Sequence, residues 1–266
     1  MDLEASSTKT KSSSLVGNAK NNVQNSGHPV LAHKISILRS SLTQPTGFRA
    51  VLREITFHLG HEATSTLRTR PIDISVPVVA TGGTATAGQL LVAKGLKIAD
   101  KVALVPIMRS GLGMVEAMLE LLPTAAVHHI GIYKQGSMPV MYYNRLPKKC
   151  TVQVAYILDP TIGSAHTMMS VVGLLKKWGV PTIHIITVVA SCDGLETVAN
   201  SHPDVTITVG AIDEAGLDEN GHIVPGLGDS GDRLFGTPVI DDFDDETLLD
   251  ASKRKRSSSD SLMQEK

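Results

Sequence analysis

Three segments of this chain carry residue types able to hold an anion, a sugar and a planar ring. The first is Arg109-Ser110-Gly111-Leu112-Gly113. Arg109 offers a planar fork of donors matched to phosphate oxygens, the glycines allow close backbone approach, and a following helix start would add unpaired N–H groups. The same pattern also suits a tight strand-to-helix turn whose arginine faces solvent. The second is Asp159-Pro160-Thr161-Ile162-Gly163-Ser164-Ala165-His166-Thr167. A carboxylate at a strand tip can accept from sugar hydroxyls, and a hydroxyl-rich turn at a helix start can donate to a phosphate. Asp, Ser and Thr are equally ordinary capping residues, so this loop alone does not decide. The third runs from Ile223 through Pro225-Gly226-Leu227-Gly228-Asp229-Ser230-Gly231-Asp232-Arg233 to Thr237. Its glycine density predicts a stiff, turned loop without a regular element, whose backbone amides and carbonyls can read the edge of a planar base.

Such loops need a frame. Short, almost continuously apolar runs occur at 102–108, 130–133, 152–158, 183–190 and 205–211. Without period-two alternation they predict strands buried on both faces. Helical spacing predicts helices over about Gly47–Leu67, Met114–Leu122 and Met168–Trp178, the last closed by Gly179. Strand and helix alternate, which predicts an α/β fold with a mostly parallel sheet flanked by helices. Ligands of such sheets sit at the carboxyl ends of the strands, where the Arg109 and Asp159 loops fall.

Charge and composition exclude several classes. The 25 Lys and Arg nearly cancel the 26 Asp and Glu of the 266 residues. No global field points to nucleic acid or an anionic membrane. No stretch approaches the roughly 18 uninterrupted apolar residues of a membrane span. Cys150 and Cys192 lack metal-ligand spacing and read as core thiols of a reducing compartment, hence a cytoplasmic protein. Residues 1–27 and 241–266 are polar and charge-segregated, predicting disordered tails around one domain at 28–240. Lys253-Arg254-Lys255-Arg256 is the one signal that would fit nuclear import, and a solvated tail explains it equally well.

The stretch from Val105 to Met114, the Asp159-Pro160 loop, and Pro225 to Thr237 resemble, in order, the three signature segments of uracil phosphoribosyltransferases. His28-Pro29, His33-Lys34, Arg53-Glu54-Ile55 and His61-Glu62-Ala63-Thr64 resemble that family's N-terminal region, so the likeness covers about 28–238. The resemblance implies a type I phosphoribosyltransferase-like fold with a small hood or arm, and transfer of phosphoribosyl from phosphoribosyl pyrophosphate to uracil. It also implies Mg²⁺ carried by the donor's pyrophosphate rather than by a protein metal site, and a homodimer joined through sheet-edge arms. Arg109 and Lys134 would hold pyrophosphate, Asp159 the ribose hydroxyls and Gly163 to Thr167 the 5′-phosphate, with Pro160, Thr161 and Ile162 also in the donor site. Uracil would lie against Ile223, Gly228, Asp229 and Ser230, with Asp229 also near the donor.

Two places depart from the family pattern. The family's 5′-phosphate loop carries adjacent glycines where this chain has Ala165 and His166, so a backbone conformation with positive φ there would be costly. Lys134 stands where the family has arginine, keeping the charge and losing the bidentate fork. These departures set an enzyme of pyrimidine salvage against an alternative, a non-catalytic relative that binds a pyrimidine, nucleotide or partner protein. The run Thr81-Gly82-Gly83-Thr84, which continues to Gly88, has the look of a phosphate cradle but is expected to be an inserted hairpin or loop.

Overall fold

The structure is a computed structural model that describes residues 22–77, 90–135 and 138–237. Its elements run β1 (Val23–Asn25), α1 (Pro29–Arg39), α2 (Pro45–Ala63), β2 (Thr69–Pro77), β3 (Leu90–Ile98), β4 (Val102–Met108), a 3₁₀ turn (Ser110–Met114), α3 (Val115–Leu121), β5 (Ala126–Val127), β6 (Ile130–Gln135) and β7 (Met138–Asn144). They continue with β8 (Val154–Leu158), β9 (Thr161–Ile162), α4 (His166–Trp178), β10 (Thr182–Ser191), α5 (Cys192–Ser201), β11 (Thr206–Asp213) and α6 (Ser230–Phe235).

The main sheet has the order β1-β11-β10-β8-β4-β6-β7, with β5 on β4 and β9 on β10. Every pairing in it is parallel except that of β6 with β7. The expected α/β architecture is therefore the observed one. The apolar runs became strands because alternate side chains feed two different cores. Ala103, Val105, Ala155, Ile157, Ile183 and Ile185 pack under α4 and α5. Leu104, Tyr156, Leu158, Ile186 and Val188, pointing the other way, pack under α1, α2 and α3. Helix α2 buries Phe48, Val51, Leu52, Ile55, Leu59 and Ala63 at helical spacing, begins on Pro45 and gives way to a 3₁₀ turn at Thr64–Thr66, short of the expected Leu67.

Three features differ from expectation. The folded unit begins before residue 28, because Val23–Asn25 pairs in parallel with β11 and the Asn22 side chain donates to the Val205 carbonyl at 2.9 Å. Three polar-flanked residues held by backbone bonds leave no periodic apolar trace. The segment after Tyr133, to which the apolar pattern assigns no element, returns as β7, antiparallel to β6. And the glycine-rich segment from Ile223 to Thr237 is not wholly irregular: Ser230–Phe235 is helical, with Asp229 accepting from the Asp232 N–H as N-cap and Gly236 closing it.

Strands β2 and β3 form a separate antiparallel ribbon that, among the described residues, pairs with no other strand. Its root is fastened by Arg68, whose backbone N–H and guanidinium all donate to Asp100, and that contact holds the Asp100 carboxyl below the usual range. The Gly82–Gly88 run and the expected tails up to 21 and from 241 onward lie outside the described residues.

Candidate active site

Strand β4 delivers Arg109 at its carboxyl end, through a cis peptide after Met108. The turn that follows presses against the neighbouring strand: a β-carbon on Gly111 would sit 2.2 Å from the Leu158 carbonyl oxygen. Only glycine permits that approach, which brings the Arg109 loop beside the Asp159 loop. Ser110 Oγ then donates to Asp159 Oδ1 at 3.0 Å, and Asp159 is buried.

The Asp159 loop is tied down from behind. The Pro160 carbonyl accepts from both Val188 and Val189 N–H at 3.0 Å, and Thr161–Ile162 adds the two-residue β9 to β10. The chain then turns into α4 through Ala165, which has φ 66° and is almost fully buried. This is the left-handed conformation that the sequence marked as costly if a positive φ was needed. Ala165 is the only non-glycine residue with positive φ among those described. His166 opens α4 with its Nδ1 3.0 Å from Ser164 Oγ. Asp159, Thr161, Gly163, Ser164, Ala165, His166 and Thr167 line a recess of about 110 Å³ at the foot of this loop.

The third segment is held by arginines from α1, α2 and α6. Arg39 grips Asp213 with both guanidinium ends at 2.8 and 2.6 Å and also donates to the Gly226 carbonyl at 2.8 Å. Gly226 N–H in turn donates to Asp213 at 2.9 Å. Gly226 has φ 58°, and a β-carbon there would meet the Ile223 carbonyl oxygen at 2.2 Å, so the turn requires glycine. Arg233 donates to the carbonyls of Leu227 and Ser40 at 2.7 and 2.6 Å and lies 4.6 Å from the Phe48 ring centre. Burial pulls the pKa of Arg233 down from its ordinary value. Arg49 donates to the Leu234 carbonyl at 2.8 Å.

The three segments meet around one open cleft of about 780 Å³ at the carboxyl ends of β4 and β8. Its lining includes Arg109, Asp159, Thr161, Gly163 and Thr167 from the first two loops, and Ile223, Gly228, Asp229 and Ser230 from the third. The structure thus brings together nearly all the residues singled out in the sequence. Ser164, Ala165 and His166 face the adjoining recess; Pro160 contributes only its backbone anchor; Lys134 occupies β6, paired with Pro139.

The cleft also contains residues to which sequence assigns no individual role. Ser110 carries a hydroxyl onto Asp159. Asp232 accepts from Arg109 at 2.8 Å, with Thr237 beside it. Tyr133 and Tyr142, facing one another across the β6–β7 hairpin, form one wall, and His222 stands at the rim. The two tyrosines were findable only by recognising β7 as a strand antiparallel to β6, where Tyr133 pairs with Val140 and Tyr142 lies two residues further along β7.

Comparison with known proteins bears on the same segments. The family model for uracil phosphoribosyltransferase matches residues 25–237. A uracil phosphoribosyltransferase of Roseiflexus sp. (strain RS-1) is 40% identical over 214 residues, spanning 80% of this chain and 97% of that protein. One from Agathobacter rectalis is 40% identical over 212 residues, spanning 79% and 96%. Among solved structures, the AQ2163 protein from Aquifex aeolicus superposes with a TM-score of 0.71 at 27% identity, covering 82% of this chain and 99% of that one. With its signature segments assembled around a single cleft and the match running from β1 to the end of α6, this chain belongs to the uracil phosphoribosyltransferase family.

Proposed function

We propose that the protein transfers the phosphoribosyl group of phosphoribosyl pyrophosphate to uracil, giving UMP and pyrophosphate. The observation that carries this reading is the convergence of Arg109, Asp159 and Asp229, from three distant parts of the chain, on one cleft.

In that reaction the bond from the anomeric carbon to the pyrophosphate oxygen breaks, a bond from that carbon to uracil N1 forms, and N1 loses its proton. Positive charge develops on the sugar and negative charge on the leaving group, so positioned donors and fixed carboxylates supply the catalysis. We assign Arg109 to the pyrophosphate, Asp159 to the ribose hydroxyls and the 163–167 loop to the 5′-phosphate. Ile223 and the backbone from Gly228 to Ser230 take the base. Asp229 stands where base and donor meet, its carboxylate fixed by the Asp232 N–H at 2.8 Å. Lys134 would add charge over the pyrophosphate. Carboxylates of Asp159, Asp229 and Asp232 line the cleft, which fits Mg²⁺ arriving on the donor, where it would neutralise the leaving pyrophosphate.

No feature of the cleft favours a relative that binds without turnover. The reading of a homodimer is supported by the β2–β3 ribbon, on which Leu90, Val92 and Leu96 share one face and are 63%, 68% and 73% exposed. A second copy is the occupant that the family resemblance supplies for that surface. Among the described residues no helix is long and apolar enough to cross a membrane.

Purified protein given radiolabelled uracil, the donor and Mg²⁺ is expected to yield labelled UMP. No product, beside an active control enzyme, would sink the assignment.

A further inference from the structure

Arg109 does not project freely into the cleft. One terminal nitrogen of its guanidinium donates to Asp232 Oδ1 at 2.8 Å, and the other lies 3.4 Å from Thr237 Oγ1. Thr237 Oγ1 donates to the same Asp232 oxygen at 2.5 Å. Both partners are themselves fixed. The Asp232 N–H is bonded to the carboxylate of Asp229, and its carbonyl accepts from Gly236 N–H at 2.7 Å and Thr237 N–H at 3.2 Å. The guanidinium also lies against the backbone of α6, since a β-carbon on Gly231 would fall 3.5 Å from two of its nitrogens. Asp232 is nearly buried, with 13% of its side chain exposed, while Arg109 keeps 51% open to the cleft.

We infer that Asp232 is a positioning residue: it holds the Arg109 guanidinium against α6 so that its remaining N–H groups are aimed at the pyrophosphate before the donor arrives. The inference rests on the phosphoribosyl transfer proposed above and adds a residue to it. A long arginine side chain at a cleft mouth would otherwise sample many rotamers and lose that freedom on binding. Two of its five N–H groups are committed to Asp232 and Thr237, and three remain for an anion. The arrangement also ties the donor's arginine to the helix that carries Asp229 and Ser230 at the base side.

A carboxylate beside Arg109 also offsets part of its charge, so two opposite outcomes are possible and the experiment separates them. Calorimetry with inorganic pyrophosphate and steady-state kinetics are run on the wild type, Asp232→Ala, Asp232→Asn and Asp232→Glu, with thermal melting to confirm folding. Asp232→Ala is expected to weaken pyrophosphate binding and raise the donor KM about tenfold, with uracil KM changed less than about twofold. Asp232→Asn, the milder change, should lose less, and Asp232→Glu should recover part of the loss. In an Arg109→Ala background, Asp232→Ala should have no further effect, because it acts through that side chain. Unchanged or tighter pyrophosphate binding by Asp232→Ala, or full additivity with Arg109→Ala, would overturn the inference even if uracil turnover persists. Wild-type protein that binds pyrophosphate but never turns over uracil would count against the proposed reaction, while weakened pyrophosphate binding by Asp232→Ala would still support the role of Asp232.

Discussion

Ser110 and Asp159 stand at the ends of adjacent parallel strands, and the Ser110 hydroxyl donates to the Asp159 carboxylate at 3.0 Å. That bond joins the two loops and orients the Asp159 carboxylate in the cleft. Asp159→Asn is expected to lower kcat/KM for the donor about a hundredfold, and Ser110→Ala about three- to tenfold. Initial rates at varied donor concentration check both, and equal effects from the two variants would contradict the order of roles.

Ala165 holds φ 66°, a conformation that costs an L-residue about 1–2 kcal/mol. Glycine removes that strain and returns about 0.5–1 kcal/mol through its freer unfolded chain. Ala165→Gly is therefore expected to stabilise the protein by about 0.5–1 kcal/mol, a rise in Tm of about 1–4 °C for a domain of this size. Scanning calorimetry reads this directly. A bulky β-branched residue at the same position, Ala165→Val, should lower Tm.

The Arg39–Asp213 pair supports the loop at Gly226, which we assign to the base, from beneath. Asp213 is 5% exposed, so Arg39→Ala leaves a carboxylate buried without its cation. The expected loss is about 3 kcal/mol of stability. Uracil KM should rise more than donor KM, because Gly226 hangs from the same two side chains. Urea unfolding and two-substrate kinetics test the two halves separately.

Burial holds the pKa of His184 below its ordinary 6.5, and its Nδ1 has no hydrogen-bond partner among the described residues. The unfolded chain therefore takes up this proton more readily than the folded one. The contribution to stability is complete above pH 6.5 and falls as acid carries the pH from there toward the lower folded value, by up to about 1.4 kcal/mol per pH unit. His184→Leu should flatten that part of the profile. Comparing denaturation midpoints at about pH 7.5 and about pH 5.5 for the two proteins gives the answer.

The ribbon of β2 and β3 presents Val92 and Leu96 on one face. If the proposed dimer forms through this face, a double variant, Val92→Asp with Leu96→Asp, is expected to run as a single chain of 28.3 kDa by light scattering where the wild type has twice that mass. Unaltered mass would move the interface elsewhere.

The sequence was most legible where burial on both faces forces continuous apolar runs. Val102–Met108 is a strand from end to end as expected, and the Arg109 and Asp159 loops follow their strands into one cleft. It was least legible where hydrogen bonds rather than apolar burial define the element. Strand β1 is three residues long and rests on backbone pairing to β11. Strand β7 is held on only one side and is largely exposed, so it shows no core pattern. In α6 the glycines obscured a capped helix whose signal was present in Asp229, Asp232 and the closing Gly236. The contact of Arg109 with Asp232 joins residues 123 positions apart, and nothing local announces it.

The clamps on the base loop have a consequence for the order in which the protein can be made competent. Arg39 reaches Asp213 and Arg233 reaches Ser40, pairs separated by 174 and 193 positions. A nascent chain still lacking the segment from 213 to 237 can pair β4, β8 and β10 and bury much of both cores, yet lacks one wall of the cleft. Acquisition of the pocket is thus a late event of synthesis, set by the emergence of the last strand and the helix behind it.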